Sequence, residues 1–115
     1  MGEEAVQEIS QGINPEETRR LLTGLIRSKS LNPPGDVREC AAIIADALAA
    51  RGLPAEIIED KPGVANVVSH LNGERSGRTL IWNGHFDVVT PGEDWEVKEP
   101  SIFQLRPVAR MLHTA

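Results

Sequence analysis

With 115 residues, 40% of them hydrophobic and 25% charged, the chain has room for one domain with a modest core and leaves no case for wholesale disorder. A net charge of −5 without a basic cluster speaks against nucleic acid or an anionic membrane surface as a partner. No apolar run reaches bilayer length, and the acidic start Met1-Gly2-Glu3-Glu4 lacks a secretory pattern, so no membrane association and a cytoplasmic location are expected.

Residues 1–13 are polar and show no clear period, which predicts a flexible lead-in, frayed or partly helical. Asn14-Pro15-Glu16-Glu17 reads as a helix start, with Asn14 as N-cap, Pro15 at the first position and Glu17 completing a capping arrangement. That helix should run to about Ser28 and bury Leu21, Leu22, Leu25 and Ile26 at helical spacing. The prolines of Asn32-Pro33-Pro34-Gly35 then enforce a loop that links two helices and is given no chemistry. Asp36 caps a second helix, with Val37, Cys40, Ala41, Ile44 and Leu48 on one face; Gly52 is its C′ residue and Pro54 blocks continuation. Cys40, the only cysteine, excludes an internal disulfide and a cysteine-built zinc site. Its alanine neighbours mark it as a buried small residue rather than a nucleophile.

Ala55 to Glu59 and Ala65 to Leu71 are rich in strand-forming residues, and Lys61-Pro62-Gly63 gives them a connection of hairpin length. His70, beside Asn72-Gly73, reads as a solvated histidine at a turn that continues to Gly77. The stretch from Thr79 to Trp95 organises the rest. It is apolar almost without a break from Leu80 to Val89, the pattern of a strand covered on both faces. Within it sit Asn83, His85 and Asp87, which no buried strand accommodates without partners. Alternation on a strand puts these three on one face. There one nitrogen of His85 can bind a cation while Asp87 holds the other N–H and fixes the tautomer. The same pair also has a purely structural reading, as a histidine satisfied by a nearby carboxylate.

Asn83-Gly84-His85-Phe86-Asp87-Val88-Val89-Thr90-Pro91-Gly92, followed by Asp94-Trp95, resembles the first metal motif of the M20 family of metal-dependent amidohydrolases and peptidases. Acetylornithine deacetylase, succinyl-diaminopimelate desuccinylase, aminoacylase-1 and carboxypeptidase G2 belong to that family. Leu31-Asn32-Pro33-Pro34-Gly35 and Ala65-Asn66-Val67-Val68 are similar to segments that precede the motif in the same order, so the likeness covers roughly residues 14–100. The resemblance implies an α/β fold, two helices packed on a mixed β-sheet, as the incomplete N-terminal portion of a zinc-peptidase-like catalytic domain. It implies hydrolysis of the amide bond of a small N-acylated amino acid or peptide, with two zinc ions in a complete family enzyme. His85 matches a metal ligand and Asp87 the catalytic-site acid that orients it.

The later carboxylates, general base and final histidine of that family have no counterpart in this sequence. Residues 101–115 carry Arg106 and Arg110 but none of the 17 acidic residues, and form a divergent tail. The tail reads as a truncated or frame-shifted product, or as a local divergence in which Leu105, Val108, Met111 and Leu112 make a short amphipathic helix. A water-activating zinc needs about three protein ligands, and Glu93, Asp94, Glu96 and Glu99 read as a solvated face. The expectation is one weak zinc site at most and no activity from this chain alone. Two other readings stand beside it: a non-catalytic remnant, and an unrelated α/β binding module in which His85 and Asp87 are a structural pair. Oligomeric state and substrate identity are not legible.

Overall fold

The computed structural model describes residues 2–90. They form a small mixed α/β arrangement of three helices, α1 (Glu3–Gly12), α2 (Pro15–Arg27) and α3 (Arg38–Ala49), followed by two strands, β1 (Ala55–Lys61) and β2 (Val64–Ser69). The strands pair antiparallel from Ala55 opposite Ser69 to Lys61 opposite Val64, with an irregularity between Glu59 and Lys61. This two-stranded antiparallel sheet stands where a mixed sheet is expected from the sequence. No helix among the described residues is long and apolar enough to cross a membrane.

The lead-in is more regular than its sequence suggests, because α1 occupies most of it. Val6, Ile9 and Ile13 recur at helical spacing yet stay exposed, and among the described residues α1 touches no other helix or strand. Acidic Glu3 and Glu4 lie in its first turn, where they complement the positive end of the helix dipole.

α2 begins as its sequence predicts. The Asn14 side chain accepts from the backbone N–H of Glu16 at 3.1 Å and of Glu17 at 3.2 Å, satisfying two of the donors that a helix start leaves over. The Glu17 carboxylate does not complete a capping box; it accepts from the Arg51 guanidinium beyond the end of α3. The expected stripe of α2 is only partly covered. Leu21, Leu25 and Ile26 are half-buried and Leu22 is exposed, because among the described helices and strands only α3 lies against this helix.

α3 is the centre of the fold and packs on α2, β1 and β2. It starts one residue later than predicted, at Arg38 with Val37 in the N-cap position, and Asp36 lies just outside, accepting from the Arg38 N–H at 3.2 Å and from the Arg38 side chain. Its far end follows the sequence closely. The Gly52 N–H donates to the Ala49 carbonyl and the Leu53 N–H to that of Leu48, with Gly52 at φ 73°, the left-handed closure that glycine adopts without a Cβ penalty. Cys40 and Ala41 are its buried residues, and Ala41 meets Val37 and Ala65 in the core, with Val67 and Phe86 packed on the rim. Small side chains at 41 and 65 let the helix lie close to the sheet. The Cys40 thiol sits inside against the Ser28 hydroxyl, at 2.7 Å, in keeping with a packing role.

The hairpin turn is Pro62-Gly63, between the paired Lys61 and Val64. Gly63 takes φ 87°, the positive angle that the third position of a type II turn demands. The Gly63 N–H donates to Glu59 Oε1 at 2.9 Å.

The stretch from Leu80 to Val89 departs most from expectation. The predicted strand does not form: among the described residues its one ladder contact is an isolated parallel bridge between Val88 and Leu31. Leu80 and Ile81 are each 81% exposed and Trp82 is 92% exposed. An apolar run has the composition of a covered strand, but cover requires neighbours on both faces, and the described residues supply them only around Phe86. The tail and its predicted helix, together with Glu93, Asp94, Glu96 and Glu99, lie outside the described residues.

Candidate functional site

The segment carrying His85 and Asp87 is pinned by the loop that follows α2. Ser30, 3% exposed, donates its hydroxyl to the Phe86 carbonyl at 2.7 Å. The Val88 N–H donates to the Ser30 carbonyl at 3.0 Å and the Asn32 N–H to the Val88 carbonyl at 2.8 Å. Asn32 to Gly35 turn back on themselves, with the Gly35 N–H on the Leu31 carbonyl at 2.7 Å, and the main-chain groups just before that turn pair with the segment around Val88. Phe86 packs inward on the Val37–Ala41–Ala65 core. Its neighbours His85 and Asp87 border a cleft instead, their side chains 82% and 40% exposed.

There the two side chains meet, as the sequence predicts. His85 Nδ1 lies 2.8 Å from the Asp87 main-chain carbonyl and 3.1 Å from Asp87 Oδ1. A carbonyl oxygen only accepts, so Nδ1 carries the proton and donates to both. In the neutral ring that leaves Nε2 as the site of the lone pair. The His85 side chain is 82% exposed, which separates it from an ordinary buried structural histidine.

The second oxygen of Asp87 is held as well. The Asn32 amide donates from Nδ2 to Oδ2 at 2.9 Å, so the carboxylate bridges an amide and an imidazole. These bonds, the Asn32 donor first and the His85 ring second, lower the Asp87 pKa below its ordinary value, because each stabilises the ionised form. Asn32 belongs to the loop to which the sequence assigns no chemistry. Its signal was an amide kept out of helical angles by Pro33, but the partner lies 55 positions away.

His85 and Asp87 border an open cleft of about 840 Å³, shared with the outer edge of β2 and with Asn83. His70 is exposed, as expected, and also lines the cleft. As a metal ligand the His85 ring fits in one respect: it has a free, accessible nitrogen and a carboxylate on the other. The donor set stops short of a full site, since no group of three or more histidine, cysteine, aspartate or glutamate side chains among the described residues could hold an ion.

Comparison of the chain with protein-family models, with curated proteins and with solved structures found no match in any of the three.

Proposed function

We propose that the chain carries the opening part of a metal-dependent hydrolase of the M20 kind, one that cleaves the amide bond of a small N-acylated amino acid or peptide. In this reading His85 is one ligand of a zinc ion and Asp87 is the acid that orients it. The observation that carries the proposal is the commitment of His85 Nδ1–H to Asp87, which leaves Nε2 on an exposed ring at the edge of a cleft. A carboxylate on the far nitrogen makes an imidazole a better and better-aimed donor. The motif from Asn83 to Gly92 adds the resemblance.

When bound, zinc supplies Lewis acidity at the carbonyl to be cleaved. The chain's own contribution is narrower: His85 binds, Asp87 fixes the ring, and the cleft gives a small substrate room. In this reading residues 2–90 provide one ligand, His85, and one orienting carboxylate, Asp87, against the roughly three protein ligands that hydrolytic zinc requires. Taken alone they are therefore assigned no hydrolytic activity. The second reading, a non-catalytic α/β unit in which the two residues are a structural pair, draws on that same shortage of donors within the described residues.

Calorimetric titration with zinc separates the two. Micromolar binding that disappears in His85→Ala supports the partial site. Absence of binding in the wild type, or binding indifferent to His85→Ala, sinks it.

A further inference from the structure

The loop from Asn32 to Gly35 links two helices, yet its first side chain is committed to the site. The Asn32 amide contacts Asp87 Oδ2 at 2.9 Å, while Oδ1 of the same carboxylate accepts from His85. A carboxylate bonded at one oxygen only can swing about its χ2 axis, which is broad and soft. Bonded at both, it has a single setting. We infer that Asn32 is a positioning residue that sets the Asp87 carboxylate and, through it, the His85 ring.

The main chain prepares Asn32 for this task. Its N–H is tied to the Val88 carbonyl at 2.8 Å, so backbone and side chain of one residue grip consecutive residues of the segment that carries the site. Gly35 supplies the space. A Cβ there would come within 3.2 Å of Asn32 Cγ, and the glycine takes φ 77° after its N–H bonds the Leu31 carbonyl at 2.7 Å. A side chain at 35 would be strained by that angle and would push on the amide that holds Asp87.

The inference rests on the zinc reading for its functional meaning, but its geometry can be tested without metal. The experiment is a double-mutant cycle of wild type, Asn32→Ala, Asp87→Ala and the double variant, with two readouts. The first is the tautomer ratio of metal-free His85, read from the ring ¹⁵N shifts at a pH well above the ordinary histidine range. The second is zinc affinity by calorimetry. Asn32→Ala is predicted to lower the Nδ1–H fraction and to weaken zinc binding about tenfold, the lower end of what outer partners of a ligand contribute. Neither effect should appear when the Asp87 carboxylate is already absent.

Asn32→Asp keeps size and shape but replaces the donor by an acceptor, so it should lose at least as much as Asn32→Ala and guards against a packing explanation. Equal effects of Asn32→Ala with and without the carboxylate, or wild-type behaviour of Asn32→Asp, would overturn the inference. If the wild type takes up no zinc, the metal reading falls and the tautomer cycle alone decides the role of Asn32. If zinc binds through His85 but the cycle shows no coupling, the metal reading stands and the positioning role falls.

Discussion

The Ser30 hydroxyl donates to the Phe86 carbonyl at 2.7 Å, across 56 positions of sequence, and so couples the loop after α2 to the segment that carries His85 and Asp87. Removing that hydroxyl leaves a shielded carbonyl without its donor, which costs about 1–2 kcal/mol. Ser30→Ala should therefore lower the denaturant midpoint and shift the NMR resonances of His85 and Asp87, while those of the α2 start stay in place. A variant with unmoved His85 resonances would show that the segment is held by its other contacts.

Asn14 makes a separate, local contribution. Its side chain receives two helix-start N–H groups, and Asn14→Ala should reduce stability by about 1 kcal/mol. Asn14→Asp keeps the acceptor and should restore most of it, as measured by urea unfolding of the three proteins. Equal loss in both variants would assign the effect to something other than capping.

Asp36 gives the chain an acid-side dependence of definite sign. The Arg38 side chain, and then the Arg38 N–H, bring its pKa down from an ordinary 3.8 to about 2. A folded-state value below the unfolded one means the contribution is fully present above the ordinary carboxylate range and fades as pH drops through that interval. Both side chains are about half exposed, so the effect is modest and salt-sensitive. Carboxyl ¹³C titration should find Asp36 near 2 in the wild type and back in the ordinary range in Arg38→Ala; a normal titration in both would remove the ion pair from the account.

The parts of this fold that can be read from sequence are those decided within a few residues. Asn14-Pro15 sets a helix start, Gly52 closes a helix with its left-handed angle, and Pro62-Gly63 turns a hairpin, each by chemistry contained in its own neighbourhood. The meeting of His85 and Asp87 is equally local, since the two residues are only two positions apart. Burial is different. The run from Leu80 to Val89 has the composition of a covered strand, yet whether Trp82 is covered depends on partners that its own sequence does not specify, and in the described residues it is not. Val6, Ile9 and Ile13 recur at helical spacing, but diluted by glutamate, glutamine and serine their period is faint, so the sequence suggests a partly helical lead-in where the structure has the ten-residue helix α1. The bond from Asn32 to Asp87 joins residues 55 apart, and nothing in the local chemistry of either residue points to the other.

The central claim is that His85 offers Nε2 to a cation while Asp87 keeps Nδ1 protonated. It is tested most directly by following the two ring nitrogens of His85 by ¹⁵N NMR as zinc is added to the intact chain. The account predicts a proton on Nδ1 before and after addition, with the large shift at Nε2. A metal-induced shift at Nδ1, or a ring that never responds to zinc, would contradict it.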